Sequence, residues 1–137
     1  MRRLTILLCA VCLCAGLRAD TDQDPKGLAL DALKDNTTAA RLCVQYCAGD
    51  ATLRDCLKAI SAANQANKEF HESIPRMTTT TRWCTLNSLD CLFTSACAQA
   101  ALIVQAQDDG ETSVRDAAMD TSLSVIKSAL RQTKTLE

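Results

Sequence analysis

Aromatic residues make up only 3% of this 137-residue chain: one Trp, one Tyr and two Phe. A core without rings has to be assembled from small and aliphatic side chains, which bury less area each at about 25 cal/mol per Å². Four glycines are too few for a glycine-rich phosphate loop, and neither G-x-S-x-G nor H-E-x-x-H occurs. With a single histidine, His71, and no C-x-x-C after residue 19, the sequence offers neither the second half of a zinc site nor a dithiol redox motif in that part of the chain. His71 has acidic neighbours in Glu69 and Glu72 but no catalytic motif around it, so it reads as a solvated surface histidine. No enzyme activity and no cofactor is expected.

What the chain does have is a leader and cysteines. MRRLTILLCAVCLCAGLRAD opens with Arg2 and Arg3, continues as an apolar run over residues 4–17, and turns acidic after Ala19. That layout is a secretory signal peptide over residues 1–19, with cleavage after Ala19 or Gly16, and a single domain over residues 20–137. No later segment reads as apolar for long enough to span a bilayer, so no stable membrane insertion is expected after cleavage. The leader takes three of the 15 basic residues with it, leaving 12 against 16 acidic ones. A net negative chain lacks the basic face that nucleic acid or an anionic membrane requires.

Three of the nine cysteines leave with the leader, and Cys43, Cys47, Cys56, Cys84, Cys91 and Cys97 remain. An even number in a short secreted chain predicts three disulfides. Cys43 and Cys47 lie one helical turn apart and Cys84 and Cys91 two turns apart, so each pair shares a helix face and is poorly placed to bond to itself. The simplest arrangement joins the first three to the last three, for example as a nested ladder of Cys43–Cys97, Cys47–Cys91 and Cys56–Cys84. Six cysteines allow fifteen connectivities, and spacing does not select one. The gaps in Cys43-x3-Cys47-x8-Cys56 are similar to those of the last three cysteines in crustacean hyperglycaemic-type neurohormones, and insect odorant-binding proteins also use x3 and x8 gaps. Around the other cysteines the order of gaps differs from both families.

Apolar spacing predicts helices throughout. In the first segment the seam is Leu30, Leu33, Thr37, Ala40, Val44 and Cys47, with DNTT at 35–38 as a break and Gly49-Asp50 as its end. A second helix over about 51–73 places Leu53, Leu57, Ile60, Ala63, Asn67, Phe70 and Ile74 on one side and stops at Pro75. A third begins near Trp83 with Leu86, Leu89, Phe93, Ala96, Ala100 and Ile103, and breaks at Asp108-Asp109-Gly110. A fourth over about 111–134 presents Met119, Leu123, Ile126 and Leu130, widened by Val114, Ala118 and Val125. The expected fold is all-α, a small disulfide-stapled antiparallel bundle of three to four helices.

Asn36-Thr37-Thr38 is a glycosylation sequon, so Asn36 is a candidate glycan acceptor. Thr78 to Thr81 read as a connector, and Trp83 as local packing beside Cys84. Together these features point to a secreted, extracellular protein that binds another macromolecule, in the manner of a hormone, toxin or effector, through an unspecified receptor or protein partner. The alternative is an extracellular carrier holding a small apolar ligand between its helices.

Overall fold

The computed structural model describes residues 24–75 and 81–136. The leader at residues 1–19, and residues 78–80 of the threonine connector, lie outside the described residues. The described chain forms four helices and no strand: α1 Pro25–Cys47, α2 Leu53–Ser73, α3 Thr81–Asp108 and α4 Thr112–Lys134.

Each boundary has a local cause. Pro25 occupies the first turn of α1, where its missing N–H costs nothing, and Asp24 Oδ1 accepts from the Lys26 amide at 3.1 Å. The helix ends where Gly49 turns left-handed at φ 82°, letting the Asp50 amide return to the Gln45 carbonyl at 2.8 Å. Thr52 caps α2, its hydroxyl accepting from the Asp55 amide at 3.1 Å. Ile74 precedes Pro75 in an extended conformation, which closes α2. Gly110, at φ 72°, ends α3, and the Glu111 amide reaches back to Ala106 at 2.9 Å.

No break occurs at DNTT. α1 runs straight through residues 35–38, because Asn36 is held from both sides: its amide donates to the Ala32 carbonyl at 2.8 Å and to Asn67 Oδ1 of α2 at 2.6 Å. A tertiary partner overrides the weak helix propensity of the Asn-Thr-Thr run.

α3 touches all three other helices, while α2 and α4 flank the α1–α3 pair without meeting each other. The α2–α3 register is legible in four contacts: Trp83 Nε1 to the Pro75 carbonyl (2.7 Å), His71 Nδ1 to Asp90 Oδ2 (2.6 Å), Asn67 Nδ2 to the Phe93 carbonyl (3.0 Å) and Cys97 Sγ to the Ile60 carbonyl (3.7 Å). The two helices are therefore antiparallel, with residue numbers at one level summing to about 160, as those contacts show. By length and composition alone α3 is apolar enough to cross a membrane, which corrects the reading that no later segment is long and apolar enough: its only charged residues are Arg82, Asp90 and Asp108. In the bundle its Leu86–Ile103 seam is the central packing face.

The interior divides into two clusters. One gathers Leu28, Ala29, Ala32, Ala66, Phe70, Leu86, Leu89, Phe93, Ala129 and Leu136. The other gathers Ala39, Cys43, Cys56, Ala63, Cys97, Ala100, Ile103, Val104 and Ala118.

Candidate functional site

The α1–α2 corner brings cysteines together because Gly49 reverses the chain within five residues between helices. Cys43 faces inward from the last turns of α1 and Cys56 from the first turn of α2, both fully buried. The two thiols neighbour each other, and the Cys56 thiol donates to the Leu42 carbonyl at 3.2 Å. Cys97 enters from α3, donating to the Ile60 carbonyl, and Cys47 sits half-buried at the rim. The six described cysteines are free thiols, and no pair among them stands at disulfide distance.

Burial governs the acid–base character of this cluster. Loss of water pushes the Cys43 thiol up to about 12, and the neighbouring Cys56 adds to the shift. Burial raises Cys56 and Cys97 as well. Cys47 is raised by burial against an opposing pull from the Arg115 guanidinium. Thiols held neutral in this way are poor nucleophiles at neutral pH, so the cluster is unsuited to covalent catalysis. Among the described residues no three metal-ligating side chains converge. The rim is tied by Tyr46, whose hydroxyl donates to Asp108 Oδ1 at 2.6 Å, a bond that raises the phenol, and by Arg115 reaching Gln107 at 2.8 Å.

Cys84 and Cys91 lie elsewhere, exposed on α3. Two rungs of the nested ladder conflict with the register, whereas the third, Cys43–Cys97, joins two residues of one buried cluster. Cys84 stands level with Pro75, so Cys56 is 19 residues away along α2, roughly 28 Å at 1.5 Å per residue. A disulfide requires Cα atoms within about 7 Å. Cys47, beside Asp108 at one end of α3, is separated from Cys91 by a comparable length of helix.

Asn36 is 1% exposed and sits at the α1–α2–α3 junction, sharing two hydrogen bonds with Asn67. A glycan on its amide nitrogen and this bundle exclude each other, because the nitrogen that would carry the sugar faces Asn67. The helix break that would have exposed the sequon is absent.

His71 is paired with Asp90 at 2.6 Å, a contact the sequence did not announce, since the two residues come from different helices. It borders an open groove of about 490 Å³ between α2 and α3, walled by Asn64, Lys68, Asp90, Thr94 and Cys97 among others. Among the described residues no hydroxyl or thiol is hydrogen-bonded to the imidazole. Trp83 donates to the Pro75 carbonyl and closes the α2–α3 corner as local packing.

The outer surface carries large aliphatic side chains. On α4, Leu123 is 56% and Leu130 44% exposed, flanked by half-buried Met119 and Ile126. Leu30, Val44, Leu53 and Leu57 are likewise exposed on α1 and α2. Comparison with known protein families, with characterised proteins and with solved structures finds no match to this chain.

Proposed function

We propose that the chain is a secreted, disulfide-stabilised helical protein that acts by binding an extracellular macromolecule. The observation that carries this reading is the α4 stripe of Met119, Leu123, Ile126 and Leu130, spaced 4, 3 and 4 residues apart, whose outer half is left to solvent while the inner face packs on α3 and α1. An exposed aliphatic stripe at helical spacing is the surface that a partner's groove or helix covers. The signal-like leader and the six remaining cysteines support an oxidising, extracellular setting. There, Cys43 and Cys56 are the pair the corner brings together, and their burial means that the bond would close during folding, before the core excludes the oxidant. The carrier reading has less support, since the α2–α3 groove is open and its wall includes Lys68, His71 and Asp90.

The test is saturable binding of the oxidised protein to intact cells or extracellular matrix. Binding lost in Leu123→Asp/Leu130→Asp, with an unchanged helical circular-dichroism spectrum, is the expected result. Equal binding by the variant, or no saturable binding, overturns the reading.

A further inference from the structure

Cys84 and Cys91 have no bonding partner within the described chain. They are seven residues apart on one helix, roughly 10.5 Å along the axis, too far to bond to each other. Cys84 lies about 20 Å of helix from Cys97 and farther from the corner cysteines, by the same rise per residue. Cys91 is six residues from Cys97, roughly 9 Å, and points outward where Cys97 is buried. Both belong to a second seam on α3, Cys84, Ser88, Cys91, Ser95, Ala98 and Leu102, at intervals of 4, 3, 4, 3 and 4. This seam lies on the side of the helix opposite the buried Leu86–Ile103 seam, and all its members are exposed except the half-buried Ser95.

The face is also uncharged. Of the charged residues of α3, Arg82 reaches Asp24 at 3.8 Å, Asp90 is taken by His71, and Asp108 accepts from Tyr46 at the far end. A solvent-facing helix surface ordinarily carries charge. The rest of the chain is net negative once the leader is gone, so copies of it repel elsewhere, whereas here they meet no like charge.

We propose that this face joins two copies of the chain side by side in parallel, with Cys84 of one copy bonded to Cys84 of the other and Cys91 bonded likewise. A second copy is the partner certain to present two thiols at the same spacing on an uncharged seam. In a parallel pair, equivalent seam positions face each other at one level. The small side chains at 88, 95 and 98 let the helices approach, and Leu102 is covered. An antiparallel pair centred between Asn87 and Ser88 would place the start of the partner's α3 opposite Thr94 and leave Ala98 and Leu102 uncovered. Each bond forms from two thiols with release of two protons and two electrons. The electrons pass by thiol–disulfide exchange to a small-molecule or protein disulfide, which leaves as two thiols.

This inference rests on the secretory reading, and the experiment separates the two. The full chain is expressed in a secreting eukaryotic cell and recovered from the medium without reductant. The expected species has twice the reduced mass, returns to monomer with dithiothreitol, and yields Cys84–Cys84 and Cys91–Cys91 linked peptides. Cys84→Ser/Cys91→Ser is monomeric with unchanged helicity, and each single variant still dimerises through the remaining bond. Crossed Cys84–Cys91 peptides overturn the parallel arrangement. A secreted monomer in which both thiols are alkylated, or tied within one chain, overturns the dimer. If the chain stays inside the cell with all six cysteines reduced, the secretory reading fails. The purified protein incubated with oxidised glutathione then tests the seam alone: a covalent dimer sustains it, and glutathione-capped monomer overturns it.

Discussion

The two ends of the bundle interior are built on different principles. One end is filled by Phe70, Phe93, Leu86, Leu89 and Leu28, with the two rings packed edge to face at 5.4 Å between centroids. The other has no ring in its buried set: Ala39, Ala63, Ala100 and Ala118 surround Cys43, Cys56 and Cys97, with Ile103 and Val104 the largest side chains. Large side chains hold helices together through the area they bury. Small ones let backbones come close but bury little, so that end gains most from a covalent link. The cysteines of the corner stand where the hydrophobic contribution is weakest.

The largest effect that sharpens this contrast is expected at the ring-filled end. Phe93→Ala removes an edge-to-face partner from a fully buried position and should cost about 3–5 kcal/mol. Denaturant unfolding should show this loss in oxidised and reduced protein alike. A loss below about 1 kcal/mol would mean that the two ends do not differ in the way their side chains suggest.

The next effect belongs to the thiol end and has a defined pH window. A Cys43–Cys56 bond closes a loop of about the size for which cross-linking contributes roughly 3 kcal/mol, so reduction should lower the unfolding free energy by about that amount. The reduced protein should also weaken in alkali. Cys43 is held at about 12 in the fold against an ordinary 9.0, so the unfolded chain loses its proton first. The stabilisation from keeping this thiol neutral is complete below pH 9 and disappears as the pH climbs toward 12. The difference between oxidised and reduced melting temperatures should therefore widen above pH 9, since only the reduced form carries this thiol. A constant difference from pH 8 to 11 would place Cys43 in contact with water.

The same contrast explains what the sequence made legible. The α3 seam was readable residue by residue, because Leu86, Leu89, Phe93, Ala96, Ala100 and Ile103 follow an unbroken three–four spacing and all are buried. On α1 the buried set is Leu28, Ala29, Ala32, Asn36, Ala39, Ala40 and Cys43; of the expected seam only Ala40 is in it, and Ala29, Ala32 and Cys43 are buried one position away from the larger Leu30, Leu33 and Val44. On α4, Ala118, Ser122, Ala129 and Thr133 face inward while Leu123 and Leu130 face out. Where helices approach closely the small residue takes the contact, and a reading weighted by side-chain size selects the neighbouring stripe. The number of helices, the Gly49 corner and the stop at Pro75 survive that error because they depend on backbone chemistry. The cysteine grouping is only partly legible: Cys97 does join Cys43 and Cys56 in one buried cluster, while Cys84 and Cys91 lie elsewhere on α3. Linking the first three to the last three ignores the register, which only the cross-helix contacts of Asn67, His71 and Trp83 reveal.

Between the two ends lies the Asn36–Asn67 pair, and it supplies the finest test. Asn36 gives its amide to Ala32 and Asn67, and Asn67 gives its own to Asn36 and to the Phe93 carbonyl, so the pair fixes α1, α2 and α3 at one level. Asn36→Ala leaves the buried Asn67 Oδ1 without its donor and should cost about 1–3 kcal/mol. Replacing both with leucine removes the stranded group and should recover most of that loss. The register is then set by packing alone, so the double variant should unfold less cooperatively and show weaker near-ultraviolet circular dichroism from the aromatic end. If the double variant is as cooperative as the parent, the pair is only a satisfied polar contact, and the ring-filled end aligns the helices by itself. The single variant also bears on the sequon. Asn36→Ala removes the acceptor, so a secreted chain whose carbohydrate content is unchanged by the substitution carries no sugar at this position, as the bundle requires.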